Sequence, residues 1–514
     1  MYSIVQSGTV FGVRCLSVDV ETDMSPGLPG FEMVGMLNSE VKEAKERVKV
    51  SLKNNGFTIP PLKVTVNLSP ASVRKSGTQF DLAIAVSILI AIGEIKQERV
   101  CKTMFLGELA LNGELKFVKG VLPVTLWAKD NNIERIIVPS SNAKEASCVE
   151  GVEVFGFDSL IEIIRFLNMG DEERRAEYSP YLFDYDKLFG PDGKSFGVDF
   201  YDVSGQEELK RASLIASAGF HNLLMVGPPG SGKSMIARRI PTILPRMTYE
   251  ECLEVSKIYS VCGSIKEFES LITKRPFVAP HHTISFQAMT GGGSVPTPGA
   301  ISMAHRGVLF LDEAVHFNKM TLESLRQPLE DKKVVISRTQ GNFEFPSDFM
   351  FVAAINPCPC GYFPDRNKCR CSEPEIKRYL SSLSGPILDR IDICIVSSYV
   401  SYEELNGQGK RISSTEMKDF VYKALEVQKR RFKNSKTRFN SEMNSNEIME
   451  FCKLGSGEEE FLVRAYNKMN LSARSYHKIL KVSRTIADIE GSEKITKTHL
   501  AEALNYRMNK DLYF

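Results

Sequence analysis

The pattern of apolar and polar positions divides the chain into parts of different character. Residues 1–165 alternate short apolar runs with segments of helical periodicity, and this alternation predicts a compact α/β domain. Its strands are predicted at Ile4–Val5, Cys15–Val20, Val64–Val66 and Arg135–Val138, and its helices at Glu40–Asn54, Asp81–Ile92 and Pro123–Asn131. Residues 170–198 are charged, punctuated by Pro and Gly and without apolar periodicity, which predicts a linker or surface arm.

The rest of the chain changes from strand-like to helical patterning. Short, continuously apolar runs at Leu223–Val226, Val308–Leu311 and Phe349–Ile355 predict buried strands. From about residue 400 the pattern is helical, over Ser414–Lys433, Asn446–Lys453, Gly457–Met469, Ala473–Glu490 and Thr496–Arg507. We therefore expect a multidomain α/β fold with an α/β domain at 1–168, a linker at 169–198, an α/β core at 199–399 and a helical domain at 400–514.

A phosphate-binding loop follows the first of these buried strands. Residues 227–234 fill every position of the pattern G-x-x-x-x-G-K-S, where a strand ends, glycines let backbone N–H groups curl around a phosphate, and a helix begins. The predicted nucleotide-binding residues are Gly227, Pro228, Pro229, Gly230, Ser231, Gly232, Lys233 and Ser234. Lys233 would meet the β- and γ-phosphates of ATP, and Ser234 would bind Mg²⁺. A glycine-rich turn without function is the alternative.

Two further strands end in polar residues suited to ATP hydrolysis. Asp312 and Glu313 directly follow Val308–Leu311, about 80 residues after the loop. Hydrolysis needs a second Mg²⁺ contact and a base that polarises the attacking water, and Asp312 and Glu313 suit these two tasks in that order. Adjacent acids after a strand could instead form a helix N-cap. Asn356 ends the strand Phe349–Ile355, where a turn asparagine before Pro357 is the alternative.

A cluster of cysteines follows Asn356. Four of the eleven cysteines, Cys358, Cys360, Cys369 and Cys371, lie within fourteen residues, and four thiolates match the ligand number of a tetrahedral structural zinc. The C-x-C spacing is tighter than the usual C-x₂-C, so reduced structural cysteines remain the alternative. The odd number of cysteines and their crowding favour a reducing, cytoplasmic location over a disulfide-bonded one.

Composition and charge add two points. A chain of 514 residues with 43% hydrophobic and 25% charged residues fits several ordinary globular domains. The N-terminus lacks the pattern of a signal peptide, and the longest apolar run, Leu82–Ile92, is too short to span a bilayer, so no membrane partner is expected. Residues 405–514 contain 21 Lys/Arg and 14 Asp/Glu, a net of +7 that leaves −5 for the first 404 residues. The C-terminal part is therefore the better candidate for a polyanion-binding surface.

The first domain resembles a known family. Its segments LPGFEMVGMLNSEVKEAKERVKVSLKNNGF, VNLSPASVRKSGTQFDLAIAVSIL and FLGELALNGELKFVKGVLP are similar to the Lon-protease-like domain at the front of magnesium-chelatase-like AAA+ proteins of the ComM/YifB type. A Lon-type protease uses a Ser–Lys dyad, but Gln79 stands where the serine would sit, and no lysine follows Gly120 before Lys129. Ser76 and Lys75 are nearby, yet adjacent residues cannot easily face each other as nucleophile and base. We therefore expect a proteolytically inert domain.

The resemblance continues through the AAA+ P-loop core and a C-terminal α-helical lid, and it implies further site residues. Asn356 matches the sensor-1 position, which helps to hold the water or the γ-phosphate. Arg390, in the segment LDRID, matches an arginine finger that acts in a neighbouring subunit; a salt bridge to Asp389 or Asp392 is the alternative. Arg474 matches the sensor-2 arginine, expected to reach the γ-phosphate from the lid, with a solvent-facing arginine as the alternative.

Two insertions match the magnesium-chelatase and MCM-like branch of AAA+ proteins. Residues 275–305 correspond to the helix-2 insert, and residues 333–346, which alternate around Gln340-Gly341-Asn342, predict the β-hairpin that precedes sensor 1. In ring motors of that branch these elements face the central channel. The candidate nucleic-acid contacts, which could equally be a solvated hairpin face, are Lys332, Lys333, Arg338 and Phe343.

The resemblance covers nearly the whole chain and implies a function. For the ComM/YifB type that function is ATP-driven movement of a hexameric ring on single-stranded or branched DNA, as a helicase that promotes branch migration in homologous recombination and natural transformation. One alternative is the motor subunit of a metal chelatase. Another is a protein-remodelling AAA+ unfoldase or chaperone that uses the Lon-like domain.

Overall fold

The computed structural model describes residues 1–185, 197–265, 270–339, 341–397 and 411–507. Three sequence expectations fall partly outside these ranges: linker residues 186–196, the hairpin-turn residue Gln340, and the expected boundary between residues 399 and 400. Within the described part of the linker, a short helix forms at Asp171–Glu177.

The front domain contains a seven-stranded mixed sheet in the order β3-β4-β2-β1-β5-β8-β9. Its strands, with a small β6–β7 hairpin beside the sheet, are β1 Tyr2–Phe11, β2 Arg14–Ser25, β3 Gly30–Val34, β4 Lys63–Ser69, β5 Thr103–Phe105, β6 Glu108–Leu109, β7 Leu115–Lys116, β8 Arg135–Pro139 and β9 Glu153–Phe157. Its helices are Ser39–Asn54, Asp81–Ala91, Val121–Asp130, Ser140–Ala146 and Leu160–Asn168. Every residue of Asp81–Ala91 is buried, because this apolar helix forms the centre of the domain core.

The second sheet contains five parallel strands in the order β11-β14-β17-β10-β18. The strands of this part, including two small hairpins, are β10 Leu223–Val226, β11 Phe277–Val278, β12 Gly291–Gly292, β13 Thr297–Pro298, β14 Val308–Leu311, β15 Lys333–Arg338, β16 Gly341–Pro346, β17 Met350–Ile355 and β18 Ile393–Val396. All residues of β10, β14 and β17 are buried, which explains their continuous apolar runs. The carboxyl ends of these three strands meet at one edge of the sheet, where the predicted nucleotide residues follow.

Short helices surround this sheet, and longer helices form the C-terminal part. The helices of the core are Glu207–Gly219, Lys233–Ala237, Ile240–Ile243, Tyr249–Cys262, Phe286–Thr290, Ala300–Met303, Lys319–Glu323, Arg326–Asp331, Glu373–Leu380 and Gly385–Leu388. The helices of the lid are Ser414–Arg431, Ser445–Phe451, Ser456–Lys468, Ala473–Ile489 and Lys497–Asn505. Each lid helix lies within two residues of its predicted bounds. The lid shares one apolar cluster with Glu207–Gly219 and β10.

Two arginines of the basic segment 428–438 of the lid make structural contacts, while Lys429, Arg430, Lys433 and Lys436 are exposed. Arg431 pairs with the buried Asp488 at 2.5 Å. Arg438 contacts Glu251 and Asp348 of the core, both at 2.9 Å. These two arginines hold the lid together and to the core, so they are not free for a polyanion.

The front domain packs against the core at two places. At the first, the ring of Phe11 stacks on Phe343 of the β15–β16 hairpin, with centroids 4.0 Å apart. At the second, the front helix Val121–Asp130 packs against the core helix Tyr249–Cys262, and the Gly120 amide donates to the Ser260 carbonyl at 3.1 Å. A buried apolar cluster that joins residues of both domains, including Leu122, Cys148, Cys252 and Val255, fills the second contact. Across the described residues, no helix combines the length and apolarity needed to cross a membrane.

Candidate functional site

The P-loop closes around the ammonium group of its own lysine. Lys233 opens a short helix, and its Nζ donates to the carbonyls of Gly227 and Pro228 at 2.7 and 2.8 Å. Gly232 and Gly230 adopt φ values of +81° and +76°, the left-handed region that glycine enters without strain. The loop therefore takes the turn that its glycines predict, and two of its carbonyls hold the lysine ammonium group.

The electrostatic environment of Lys233 disfavours its charge. Burial lowers the pKa of Lys233 to about 8, and the carboxylates of Asp312 and Glu313 only partly oppose this effect. A phosphate would replace the missing solvation with an opposite charge. The site is therefore arranged to gain more from an anion than an exposed lysine would.

The two carboxylates lie where the sequence predicts a magnesium contact and a base. The Ser234 hydroxyl donates to Asp312 Oδ2 at 2.7 Å, so both predicted Mg²⁺ ligands are adjacent, and hydroxyl and carboxylate oxygens suit this cation. Glu313 has a φ of +49° and its amide donates to Asp312 Oδ1 at 3.1 Å. β14 ends at Leu311, and Glu313 precedes the short 3₁₀ helix Ala314–His316 without a side-chain capping bond, so neither carboxylate caps a helix as the alternative interpretation would require.

Asn356 follows β17 and lies at the same edge of the sheet as the P-loop and the two carboxylates. Its Oδ1 lies 3.4 Å from Lys233 Nζ. A cavity of about 460 Å³ is lined by the P-loop from Pro229 to Met235 together with Asp312, Glu313 and residues 354–356. The four groups predicted to act within one subunit on the phosphates therefore converge: the P-loop, the two carboxylates and the asparagine.

Two residues that sequence reasoning missed support this cavity. Tyr379, on the helix Glu373–Leu380, lies beside Asn356, and burial followed by the charge of Glu313 raises the pKa of Tyr379 to about 12. Ser397, after β18, bonds Ser231 Oγ at 2.8 Å, and a Cβ at Gly227 would come within 1.9 Å of its hydroxyl. No signal in the sequence connects either residue with the loop, because each is more than 100 residues away.

Arg390 and Arg474 meet at a different site. Arg390 pairs with Glu330 and donates to the Pro386 carbonyl at 2.6 Å, rather than forming the alternative bridge to Asp389 or Asp392. Arg474, exposed at the start of Ala473–Ile489, lies 3.8 Å from the other oxygen of Glu330. Neither arginine belongs to the described lining of the P-loop cavity. Here the lid helix directs Arg474 to the same face as Arg390, and the expectation that Arg474 reaches the γ-phosphate from the lid stays a prediction.

The cysteine cluster has the geometry of a metal site. Cys358 Sγ lies 3.3 Å from Cys360 Sγ and 3.7 Å from Cys369 Sγ, and all four sulfurs, including that of Cys371, lie within 4.8 Å of one another. Tetrahedral zinc with bonds of about 2.3 Å requires sulfurs about 3.8 Å apart. The Phe363 amide donates to Cys358 Sγ at 3.4 Å, a contact that stabilises a thiolate ligand. The donor set therefore fits zinc.

The four hairpin residues expected to contact nucleic acid do not form one exposed surface. Phe343 is 3% exposed and stacks on Phe11, so the prediction that it contacts bases is wrong. Lys332 pairs with Asp348 at 2.5 Å and Lys333 with Glu344 at 3.0 Å. These two lysines are half-exposed but neutralised by their partners. Arg338 is exposed beside the hairpin turn, which leaves it as the candidate contact.

The protease-like site of the front domain holds no dyad. The amide of Gln79 donates to the Ser76 carbonyl at 3.0 Å, and the buried Lys75 ammonium donates to the Pro70 carbonyl. Asp81 is fully buried and accepts two bonds from Arg47, at 2.7 and 3.0 Å. The described side chains thus use this region for internal bonds, and the proteolytic inertness of the domain stays a prediction.

Comparison with known proteins settles the family. Competence protein ComM of Haemophilus influenzae (strain ATCC 51907 / DSM 11121 / KW20 / Rd) is 41% identical to this chain over 506 residues, covering 98% of this chain and 97% of ComM. The chain belongs to the magnesium-chelatase ChlI-like family. Three descriptions from this family match: "Magnesium chelatase, subunit ChlI" over residues 199–405, "Subunit ChlI of Mg-chelatase" over 20–142, and "Magnesium chelatase, subunit ChlI C-terminal" over 411–507.

Of two further relatives, one matches nearly the whole chain and the other matches about a third of it. YifB of Escherichia coli (strain K12) is 38% identical over 510 residues, 98% of this chain and 97% of YifB. Lon protease 2 of Bacillus subtilis (strain 168) is 25% identical over 195 residues, 34% of this chain and 35% of that protein. This ChlI-like chain is accordingly a multidomain AAA+ ATPase with a Lon-like front domain, a parallel α/β core and a helical C-terminal region.

Proposed function

We propose that this ATPase works as a ring of identical subunits, a hexamer, that moves on DNA and promotes branch migration in recombination and natural transformation. The observation that carries the ring is the position of Arg390 and Arg474. Both arginines lie together at Glu330, while the P-loop cavity contains an acid pair and an asparagine but neither arginine. A site with this composition has Lys233 but no arginine to stabilise charge on the transferred phosphoryl group, and a neighbouring subunit can supply one.

Within one subunit, the residues divide the chemistry of hydrolysis. The P-loop amides and Lys233 would bind the phosphates, and Glu313 would accept a proton from the attacking water while Asn356 orients it. Ser234 and Asp312 would hold Mg²⁺, which neutralises phosphate charge when bound. Arg390 from the neighbour would meet the charge on the γ-phosphate, and Arg474 would approach from the same side.

DNA as the substrate rests on three supports of different kinds. The relative ComM carries the name of a competence protein. Residues 405–514 have a net charge of +7, which favours a polyanion. Arg338 is exposed beside the turn of the β15–β16 hairpin. Each DNA-contacting subunit would then contribute this arginine to the ring channel.

The chemistry of the cysteines supports the location and a structural zinc. All eleven cysteines are free thiols, which fits the reducing cytoplasm. Zinc would be held by Cys358, Cys360, Cys369 and Cys371 and would cross-link the loop that follows Asn356.

One measurement separates DNA movement from the alternatives. We expect the ATPase rate of the full-length protein to rise several-fold on addition of forked or single-stranded DNA at low salt, and to lose this stimulation as salt increases. A metal-chelatase subunit would respond to its partner subunits instead, and an unfoldase would respond to unfolded protein. Absence of both stimulation and DNA binding at low salt rejects the proposed substrate.

A further inference from the structure

The four-cysteine cluster lies against the nucleotide cavity. Cys358 follows Asn356 by two residues and is fully buried, so the sulfur cluster begins where the cavity ends. The Gly361 amide donates to the Cys358 carbonyl at 3.0 Å. This turn directs the chain from Cys358 and Cys360 toward the P-loop.

The turn touches the P-loop at Gly361. A Cβ built at Gly361 would lie 2.5 Å from Cδ and 2.9 Å from Cγ of Pro229, far inside van der Waals contact. Gly361 also has a φ of +84°, which favours glycine. The backbone between two of the cysteines therefore packs directly on the pyrrolidine ring of a P-loop residue.

The other end of the cysteine loop reaches the same cavity. Cys371 is followed by the helix Glu373–Leu380, whose Tyr379 lies beside Asn356. Asn356 in turn lies 3.4 Å from Lys233 Nζ. The loop thus contacts the P-loop through Pro229 and positions Asn356 through Tyr379, so its conformation affects both walls of the cavity.

We propose that metal binding by the four cysteines is thermodynamically linked to nucleotide binding at the P-loop. Zinc fixes the loop, the fixed loop holds Pro229 and Asn356 in the geometry that receives phosphates, and loss of zinc releases both. This linkage rests on the proposed zinc occupancy and on ATP binding, and it is independent of the DNA substrate.

Linkage is reciprocal, which gives two readouts that do not depend on ATP turnover. If zinc strengthens nucleotide binding by some factor, bound nucleotide must strengthen zinc binding by the same factor. We expect a factor of about ten, within the range of couplings between linked sites. Zinc transfer to a chromogenic chelator should be correspondingly less favourable when the P-loop is occupied.

The test measures the affinity of full-length protein for a fluorescent ATP analogue with Mg²⁺, in the zinc-loaded state, after zinc removal, and after zinc is restored. Zinc content is measured separately by mass spectrometry. We expect one zinc per chain, about tenfold weaker nucleotide binding without zinc, and recovery on its return. The double variant Cys369→Ser/Cys371→Ser should bind nucleotide like the zinc-free protein. Cys101→Ser, which changes an exposed thiol outside the cluster, is the matched control and should retain both affinities.

Pro229→Ala tests the contact itself. This variant keeps all four cysteines but removes most of the ring on which Gly361 rests. It should bind zinc normally while zinc changes its nucleotide affinity by a smaller factor than in the unmodified protein, because only the contact through Tyr379 remains. Equal nucleotide affinity with and without zinc in the unmodified protein overturns the linkage, as does a zinc-free protein from zinc-replete cells or global unfolding on zinc removal. A protein with intact linkage and no response to DNA would instead reject the proposed DNA function.

Discussion

At the scale of single residues, the ammonium group of Lys233 is the part of the cavity whose charge responds to pH near neutrality. The Gly227 and Pro228 carbonyls accept hydrogen bonds from it, and burial lowers its pKa to about 8. Since Asp312 and Glu313 oppose this shift only in part, the charge of Lys233 depends on pH close to the physiological range.

We expect nucleotide affinity to fall as pH rises through about 8. Phosphates bind the protonated lysine, and free protein loses this proton above its pKa, so binding at higher pH must take up a proton. Affinity should decrease up to about tenfold per pH unit above that point. Calorimetric titration in buffers of different ionisation enthalpy measures affinity and proton uptake together. Lys233→Arg, whose guanidinium stays charged, should bind with little pH dependence. A pH-independent affinity in the unmodified protein would contradict the lowered pKa.

The sequence predicts the site residues that form motifs and misses those that meet only in space. The P-loop, Asp312, Glu313 and Asn356 each follow a buried apolar strand, so their chemistry and their strand ends are visible together. Tyr379 and Ser397 approach the loop through the packing of distant elements, and no local pattern marks them. The neighbours of Arg474 are equally invisible in the sequence, because they depend on how the lid helix packs against the core.

At the scale of elements, the β15–β16 hairpin shows that a sequence pattern can predict an element without predicting which of its faces is buried. The alternation predicts the hairpin, and the structure pairs Lys333–Arg338 with Gly341–Pro346 in register. Alternation also gives two faces, since successive side chains point to opposite sides. It cannot tell which face is covered, and here the partner of Phe343 is Phe11, more than 300 residues earlier in the chain. Strand β3 was missed for a local reason, because its first residues lie in a Pro- and Gly-rich turn.

Substitutions on the hairpin should distinguish a residue that stabilises the fold from a residue that binds DNA. Phe343→Ala is expected to lower the free energy of unfolding by about 3 kcal/mol, because it removes a buried ring from the contact with Phe11. Arg338→Ala, on the exposed side of the same hairpin, should change stability by less than about 0.5 kcal/mol. It should weaken DNA binding and reduce the slope of log affinity against log salt by about 1.

Thermal unfolding and salt-dependent DNA titration measure the two effects on both variants. A Phe343→Ala protein of unchanged stability that binds DNA poorly would restore the prediction of a base-contacting phenylalanine.

At the scale of the whole molecule, the proposed function makes the hydrolytic site a composite of two subunits. The α/β architecture and the order of its parts follow from the sequence, because the apolar periodicity within each part predicts its strands and helices. The composite character of the site does not follow from pattern alone, since it depends on Arg390 and Arg474 sharing Glu330 away from the P-loop cavity.

Mixed subunits should show whether Arg390 acts across an interface. Arg390→Ala alone is expected to lower the ATPase rate about 10³-fold while nucleotide affinity stays within about twofold, because the finger stabilises the transition state. Lys233→Ala should lose nucleotide binding. Mixing the two inactive proteins should restore part of the activity, since some interfaces then combine an intact P-loop with an intact Arg390.

Arg326→Ala is the matched control, because this exposed arginine pairs with Glu323 on a nearby helix. It should leave the ATPase rate nearly unchanged. Normal turnover by Arg390→Ala would remove the finger assignment, and absence of recovery on mixing would argue against an action in trans.

The two attachments of the front domain have a mechanical consequence. A rigid body fixed at Phe343 of the hairpin and at Ser260 of the helix Tyr249–Cys262 acts as a strut between them, and neither anchor can shift relative to the other unless one of these contacts slides. In the proposed ring motor, any movement of the hairpin relative to the core would therefore either break the stack of Phe11 on Phe343 or carry the front domain with it.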